Sequence, residues 1–294
     1  MNDINDKFII KEDSKFKLKD HSPSFIDGFK NEDDAKEVML DDIKKLIKLQ
    51  EKLFANNQYS VLIILQAMDA AGKDGVIKHV MSGLNPQGCS VKSFKHPTDE
   101  DYEHDFFWRF NKALPESGKI GIFNRSYYEN VLICRVHPEF ILDEKLPKYD
   151  DVKKLDDNFW QHRFKQINRF EKNLVQNGTI ILKFFLHLSK EEQRKRLLDR
   201  IDQTEKNWKF SFADINERKY WDEYQTCYEE AIKATSTDEA PWFVIPADNK
   251  WFSRVTIANI LVEQLDALHL KYPELPKAEI QKLQDAKVSL LKED

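Results

Sequence analysis

Apolar positions along the chain recur with two alternating periods, and that alternation predicts the architecture. Between residues 33 and 56, Val38, Met39, Ile43, Leu46, Ile47, Leu53 and Phe54 return at helical spacing with charges between them, the pattern of an amphipathic helix. Residues 60–66, Ser-Val-Leu-Ile-Ile-Leu-Gln, then form a short apolar, β-branched run of buried-strand length. A helix to about residue 84 follows, and the exchange continues. Residues 90–94 read as a strand. Residues 99–114 read as an aromatic-rich helix opened by Thr98, with Asp101 three positions on as a capping partner. Residues 119–124 are a strand, 126–136 a helix, 154–176 a long helix, 179–188 a strand and 190–201 a basic helix. The chain closes with a helix at 217–234, a strand at 242–246, a helix at 253–270 and a charged tail. About five strand–helix exchanges predict an α/β fold, a parallel sheet flanked by helices on both faces. One domain is expected over residues 33–294, preceded by an arm over 1–32 in which charge and Phe/Ile alternate without a clear period.

Composition narrows the function classes. At 41% hydrophobic and 12% aromatic the chain is too apolar to be mainly disordered, and no apolar run is long enough for a membrane-spanning helix. The 46 Lys+Arg against 51 Asp+Glu give a net charge of -5, no whole-chain sign of a nucleic-acid partner. A local basic site for an anion stays open. Cys89, Cys134 and Cys227 are odd in number and form no CxxC or Cys/His framework, so free thiols in a reducing compartment are expected. The first ten residues are polar and carry no apolar signal segment, which makes the cytoplasm the expected location.

Candidate chemistry sits where the first long strand ends. Residues 67–74, Ala-Met-Asp-Ala-Ala-Gly-Lys-Asp, have the spacing of a P-loop, GxxxxGK[ST], between a buried strand and a helix. The amides of such a loop and the following helix N-terminus favour an anion, and Lys73 beside Gly72 adds a full charge. Ala67 stands in place of the first glycine and Asp74 in place of the Ser/Thr. Asp69 puts a carboxylate inside the loop, which repels phosphate unless a cation lies between them. Asp69 and Asp74 therefore point to a divalent ion such as Mg²⁺ or Mn²⁺, or Asp69 positions an attacking phosphate. Asp74 reads equally well as an acid stabilised by the helix dipole.

A second strand end brings Asn124 and Arg125, with Glu129 one helical turn beyond and Arg135 further along. Ligands of open α/β sheets gather outside such ends. Arg125 can hold phosphate bidentately, or simply pair with Glu129 on a helix surface. Lys95 and His96 follow a third strand end and are candidates for anion contact. His104, without a matching His or Cys, reads as structural, and Trp108, among Phe106, Phe107 and Phe110, reads as core and not as a base-stacking platform. From residue 183 to 219 there are ten Lys/Arg against seven acids. Arg196 and Arg200 share a helix face, and Lys206, Lys209 and Arg218 punctuate a stretch without strong period, as expected of a lid over residues 200–220.

Several motifs in order make the chain resemble the polyphosphate kinase 2 family: MDAAGKDG at 68–75, FKHPT at 94–98, HDFFWR at 104–109, NRSYYE at 124–129, RVHP at 135–138, KNWK at 206–209 and APW at 240–242. The resemblance implies a thymidylate-kinase-like P-loop kinase fold with a helical lid. It implies phosphate transfer between inorganic polyphosphate and nucleotides, AMP, ADP and ATP with guanine nucleotides in addition, assisted by Mg²⁺ or Mn²⁺. Asn124 with Glu129 is similar to the class III subgroup, which acts on both nucleoside mono- and diphosphates. The roles that follow place Asp69, Lys73, Asn124 and Arg125 in catalysis, with Asp69 and Asn124 organising the metal. Gly72, Asp74, Lys95, Glu129, Arg135, Arg200, Lys206 and Lys209 bind substrate. A homo-oligomer, dimer or tetramer, is expected, with the arm and the 33–56 helix free to pack on a partner copy. An ATP-dependent nucleotide kinase and a non-catalytic polyphosphate-binding protein are the alternatives.

Overall fold

A computed structural model describes residues 6–29 and 31–293. Six strands form one sheet in the order β1 (Ile9–Ile10), β6 (Trp242–Pro246), β5 (Thr179–His187), β2 (Ser60–Ala67), β4 (Ile120–Asn124) and β3 (Cys89–Ser93). All neighbours are parallel except β1, which pairs antiparallel with β6 through Ile9 opposite Phe243. Every residue of β2 is buried because the strand is covered on both faces. Val61, Ile63 and Leu65 join one core, with Leu46 and Leu53 of α1 (Glu32–Asn56), Val76 and Val80 of α2 (Lys73–Val80), and Ile257 and Leu261 of α10 (Lys250–Asp266). Leu62 and Ile64 face the other, with Phe164 and Ile167 of α6 (Asp157–Gln176) and Tyr224 and Tyr228 of α9 (Trp221–Thr235). This is the doubly covered sheet that the alternating periods predict. None of the described helices is long and apolar enough to cross a membrane.

Three local expectations change. The predicted helix at 99–114 is two single turns, α3 (Asp99–Tyr102) and α4 (Trp108–Asn111). Thr98 and Asp101 do form the capping box, but Asp105 Oδ1 then accepts the Phe107 N–H at 2.9 Å and competes with a continuing helix. The break lets Phe110 reach full burial while Phe106 and Phe107 pack on the same core. The helix expected at 126–136 begins as a 3₁₀ turn, Tyr127–Val131, and only then becomes α5 (Ile133–Val136). The charged tail is helical, α11 (Lys277–Leu290), and exposed along its length.

The N-terminal arm packs on this chain's own sheet and does not stand free of it. Phe8, Ile10, Phe16 and Leu18 are buried against this chain's own cores, and the Phe8 carbonyl accepts the Val244 N–H at 2.8 Å. An alternation of charge with Phe/Ile that looked aperiodic is the edge strand and its flanks. Residues 1–5 lie outside the described part of the arm.

Candidate active site

The strand ends at residues 67, 124, 187 and 246 open on one side of the sheet, and the chemistry collects there. The loop after β2 turns through Ala70 at φ 62° and Gly72 at φ 110°, the left-handed region that only glycine enters without strain. These turns bring the first turn of α2 onto a cleft of about 440 Å³. Lys73 Nζ donates to the Ala67 carbonyl at 3.0 Å, folding the side chain back along its own loop. Burial is the main cause that pushes its pKa down to about 8; Arg125 adds to the effect, while Asp69, Glu129 and Asp74 oppose it.

The β4 end completes the centre. Arg125 also holds a left-handed φ of 65°, with its N–H donated to Leu65 of β2 at 3.1 Å. Its guanidinium donates from Nη2 to Asp69 Oδ1 at 2.9 Å and lies with Nη1 3.6 Å from Glu129 Oε2. Glu129, then Asp69, raises the pKa of Arg125 against the burial that opposes them, so it is a fixed cation. Asn124 Nδ2 donates to Asp74 Oδ1 at 2.8 Å. The helix-turn pairing of Arg125 with Glu129 and the charged centre facing substrate are thus one arrangement.

From the far side, α7 (Lys190–Asp202), the segment after it and α8 (Phe212–Glu217) add Arg196, Asp199, Arg200, Lys206, Lys209 and Asp214 to the lining, and α10 adds Lys250 and Arg254. Eight basic side chains face four acids, and no aromatic side chain lines the cleft among the described residues. Arg196 is 4% exposed and acts as a bracket. It donates to the Ala70 and Ala71 carbonyls of the loop at 3.1 and 2.8 Å, and to Ala247 and Asp248 after β6 at 2.7 and 2.9 Å. Arg200 reaches both the Lys209 carbonyl and Asp214 Oδ2 at 3.2 Å, tying the helix to the lid. Burial, then Asp69, holds the Asp214 pKa above the usual carboxylate range.

The structure therefore brings Asp69, Gly72, Lys73, Asp74, Asn124, Arg125, Arg200, Lys206 and Lys209 together in one cleft. Lys95 and Glu129 line an adjoining pocket of about 140 Å³ with Phe94, Tyr102, Arg109 and Phe140, and Arg125 lines both spaces. Arg135 is not brought to the cleft. The 3₁₀ turn and α5 carry it towards α9, where it pairs with Glu230 and lies 5.9 Å from the Trp160 ring. Lys250, Arg254 and Asp214 are site residues that sequence reasoning passed over. The signal for the first two was the same as for Arg125, since they follow the C-terminal end of β6.

Among the described residues no three His, Cys, Asp or Glu side chains cluster as a metal site. Asp69 and Asp74 each have one oxygen engaged, by Arg125 and Asn124 respectively. Two carboxylates and an amide in a phosphate-sized basic cleft fit Mg²⁺ or Mn²⁺. Mg²⁺ in particular takes few protein ligands and completes its shell with water and substrate phosphates.

Comparison with known proteins gives the family. The family model described as Polyphosphate kinase 2 (PPK2) matches residues 29–273. A Rhodopseudomonas palustris protein named ADP-polyphosphate phosphotransferase is 48% identical over 271 residues, covering 92% of this chain and 93% of its own. A Meiothermus ruber protein named AMP/ADP-polyphosphate phosphotransferase is 43% identical over 272 residues, covering 91% and 95%. The crystal structure of Polyphosphate Kinase 2 from Arthrobacter aurescens TC1 superposes with a TM-score of 0.83 at 39% identity, covering 93% of this chain and 94% of that one. With a parallel P-loop kinase sheet, a basic cleft at its strand ends and a family match over most of its length, the chain belongs to the polyphosphate kinase 2 family.

Proposed function

We propose that the chain transfers the terminal phosphoryl group of inorganic polyphosphate to AMP and to ADP, reversibly and with Mg²⁺ or Mn²⁺. One observation carries the reading. The P-loop cleft is lined by eight cationic side chains, of which Arg196 is spent on main-chain carbonyls, and by no aromatic side chain among the described residues, which suits a donor made only of phosphate and gives no stacking surface to the base of an ATP donor. The adjoining pocket has the complementary character, aromatic side chains with Glu129 in its lining, and takes the nucleoside of the acceptor. Arg125 lines both and stands where the phosphoryl group passes. Lys73 and the loop amides hold phosphate oxygens, and Lys206, Lys209, Lys250 and Arg254 hold the chain beyond them. Asp69 fixes the Arg125 guanidinium, and the lid excludes water. A bound Mg²⁺ or Mn²⁺ supplies charge neutralisation at phosphate oxygens near Asp69, Asp74 and Asn124. Phosphoryl transfer of this kind depends on positioning and electrostatics more than on covalent chemistry.

Action on both mono- and diphosphates, the class III property, is supported by the presence of neutral Asn124 together with Glu129 in the sequence and by the AMP/ADP name of the Meiothermus ruber relative. Guanine nucleotides are included as acceptors. The same reading carries a homo-oligomer, dimer or tetramer, supported by half-exposed Leu40 and Phe54 on α1. It also carries a reducing, cytoplasmic setting, supported by three free thiols.

The direct test incubates AMP, ADP, GMP and GDP separately with polyphosphate and Mg²⁺, without ATP. ATP forms from ADP, and ADP then ATP from AMP. Turnover only when ATP is the donor would instead establish the nucleotide-kinase reading.

A pH dependence follows from Lys73. Its ammonium form prevails below about pH 8 in the free enzyme. The value of kcat/KM for polyphosphate therefore falls as pH rises through that region. Bound polyanion favours the ammonium, so kcat at saturating polyphosphate declines only at higher pH. Parallel pH–rate profiles check this, and a kcat/KM flat to well above that value would contradict it.

A further inference from the structure

Gln193, on the buried face of α7 and 2% exposed, lies outside the cleft lining yet joins the phosphate loop to the base of the lid segment. Its Nε2 donates to the Asp69 carbonyl at 3.0 Å. Its Oε1 accepts from Arg218 Nη1 at 2.8 Å, and the same guanidinium nitrogen donates to the Lys190 carbonyl at 2.7 Å. A carbonyl only accepts and a guanidinium only donates, so the orientation of the amide is fixed by its partners. Arg218 begins the 3₁₀ turn that returns the lid segment to α9. The Asp69 carbonyl belongs to the peptide that leads into Ala70, the residue held at positive φ in the phosphate loop.

We propose that Gln193 is a positioning residue that makes the shape of the phosphate loop depend on the seating of the lid base at Arg218. The proposal rests on the phosphotransferase reading above. When Arg218 is seated, the Gln193 amide is held at its oxygen and presents its NH₂ to Asp69. The Asp69–Ala70 peptide is then locked, the Ala70 amide keeps its direction, and the Asp69 side chain keeps its grip on Arg125. When the lid base lifts, the amide loses one anchor and the peptide regains freedom. A carboxylate at position 193 would keep the Arg218 contact but set an acceptor against the Asp69 carbonyl. Glutamine is the side chain that serves both ends.

The experiment compares Gln193→Glu, Gln193→Met, Arg218→Met and the double Gln193→Met/Arg218→Met in the full-length protein. Two readouts are used: kcat and KM for polyphosphate-driven ADP phosphorylation, and binding of Mg²⁺–tripolyphosphate by calorimetry. Each single variant lowers kcat about tenfold with KM for ADP nearly unchanged, and the double loses no more than the worse single, since both break one relay. Gln193→Glu behaves like Gln193→Met although its Arg218 contact is preserved. Multiplying losses in the double, or a Gln193→Glu variant with wild-type kcat and tripolyphosphate affinity, overturns the proposal. So does a fall in melting temperature with kcat per folded molecule unchanged, which marks a merely structural glutamine. The calorimetric cycle needs no turnover, so a wild-type protein inactive with polyphosphate would sink the functional reading and leave this coupling measurable.

Discussion

Lys73→Met lowers polyphosphate-driven turnover by about 10³-fold or more and leaves the melting temperature unchanged or higher. The two halves of this expectation have one cause. The Lys73 side chain is half-buried at the cleft wall, its ammonium donates to the Ala67 carbonyl at 3.0 Å, and desolvation, more than any neighbouring charge, drives its pKa down to about 8. Holding a cation there costs stability in the empty protein, and methionine fills similar space without that cost. Phosphate oxygens in the loop would supply the missing counter-charge, so the interaction the substitution removes is one made chiefly with substrate. Steady-state kinetics and thermal melts check both halves. A third measurement separates them: Mg²⁺–tripolyphosphate raises the melting temperature of the wild type by mass action and fails to do so for the variant. A variant that melts much lower, or that retains more than about a tenth of the activity, contradicts the assignment of Lys73 to substrate phosphate.

The parts of the site that are local in sequence are legible there. The 67–74 loop and the Asn124–Arg125–Glu129 segment each follow an apolar strand within a few residues, so strand, turn and charge are read from one stretch of chain. The core strands were equally plain because β2, β4, β5 and β6 are nearly wholly buried runs. What escaped depends on distant pairings. The arm reads as irregular until β6 supplies the edge that Ile9 and Ile10 pair with. Gln193 looks like one more polar position on a charged helix and Arg196 like a lid cation, and only the approach of α7 to the phosphate loop gives them carbonyls to hold. Arg135 errs the other way. Its place in a motif suggested the cleft, but a short 3₁₀ turn followed by an α turn redirects it to Glu230. A side chain at the end of a non-repeating turn has a direction that spacing does not specify.

Lys183→Met destabilises the protein by about 3–5 kcal/mol, a fall of roughly 5–15 °C in melting temperature. Lys183 interrupts the apolar run of β5, and its ammonium is fully buried. Its three protons meet three acceptors: Glu171 Oε2 at 2.6 Å, the Thr235 carbonyl at 2.6 Å and Tyr128 Oη at 3.0 Å. Glu171 Oε1 in turn accepts from Tyr127 and Tyr128, both at 2.8 Å. Removing the cation leaves a carboxylate that is 1% exposed without its counter-charge, and that uncompensated charge is the source of the loss. Pairing Lys183→Met with Glu171→Gln removes both charges while keeping an acceptor for the tyrosines, so the double variant recovers most of the stability. A double-mutant cycle from denaturant melts measures this, and additive losses would contradict it. The network also bears on the active site. Tyr127 and Tyr128 open the 3₁₀ turn that carries Glu129, which faces Arg125 across 3.6 Å. Loosening their hydroxyl anchors therefore raises KM for the nucleotide acceptor more than it lowers kcat, while KM for polyphosphate, held by the loop, the lid and α10, stays near wild type. Equal rises in both KM values would mean that the buried pair supports the sheet as a whole and not the acceptor side in particular.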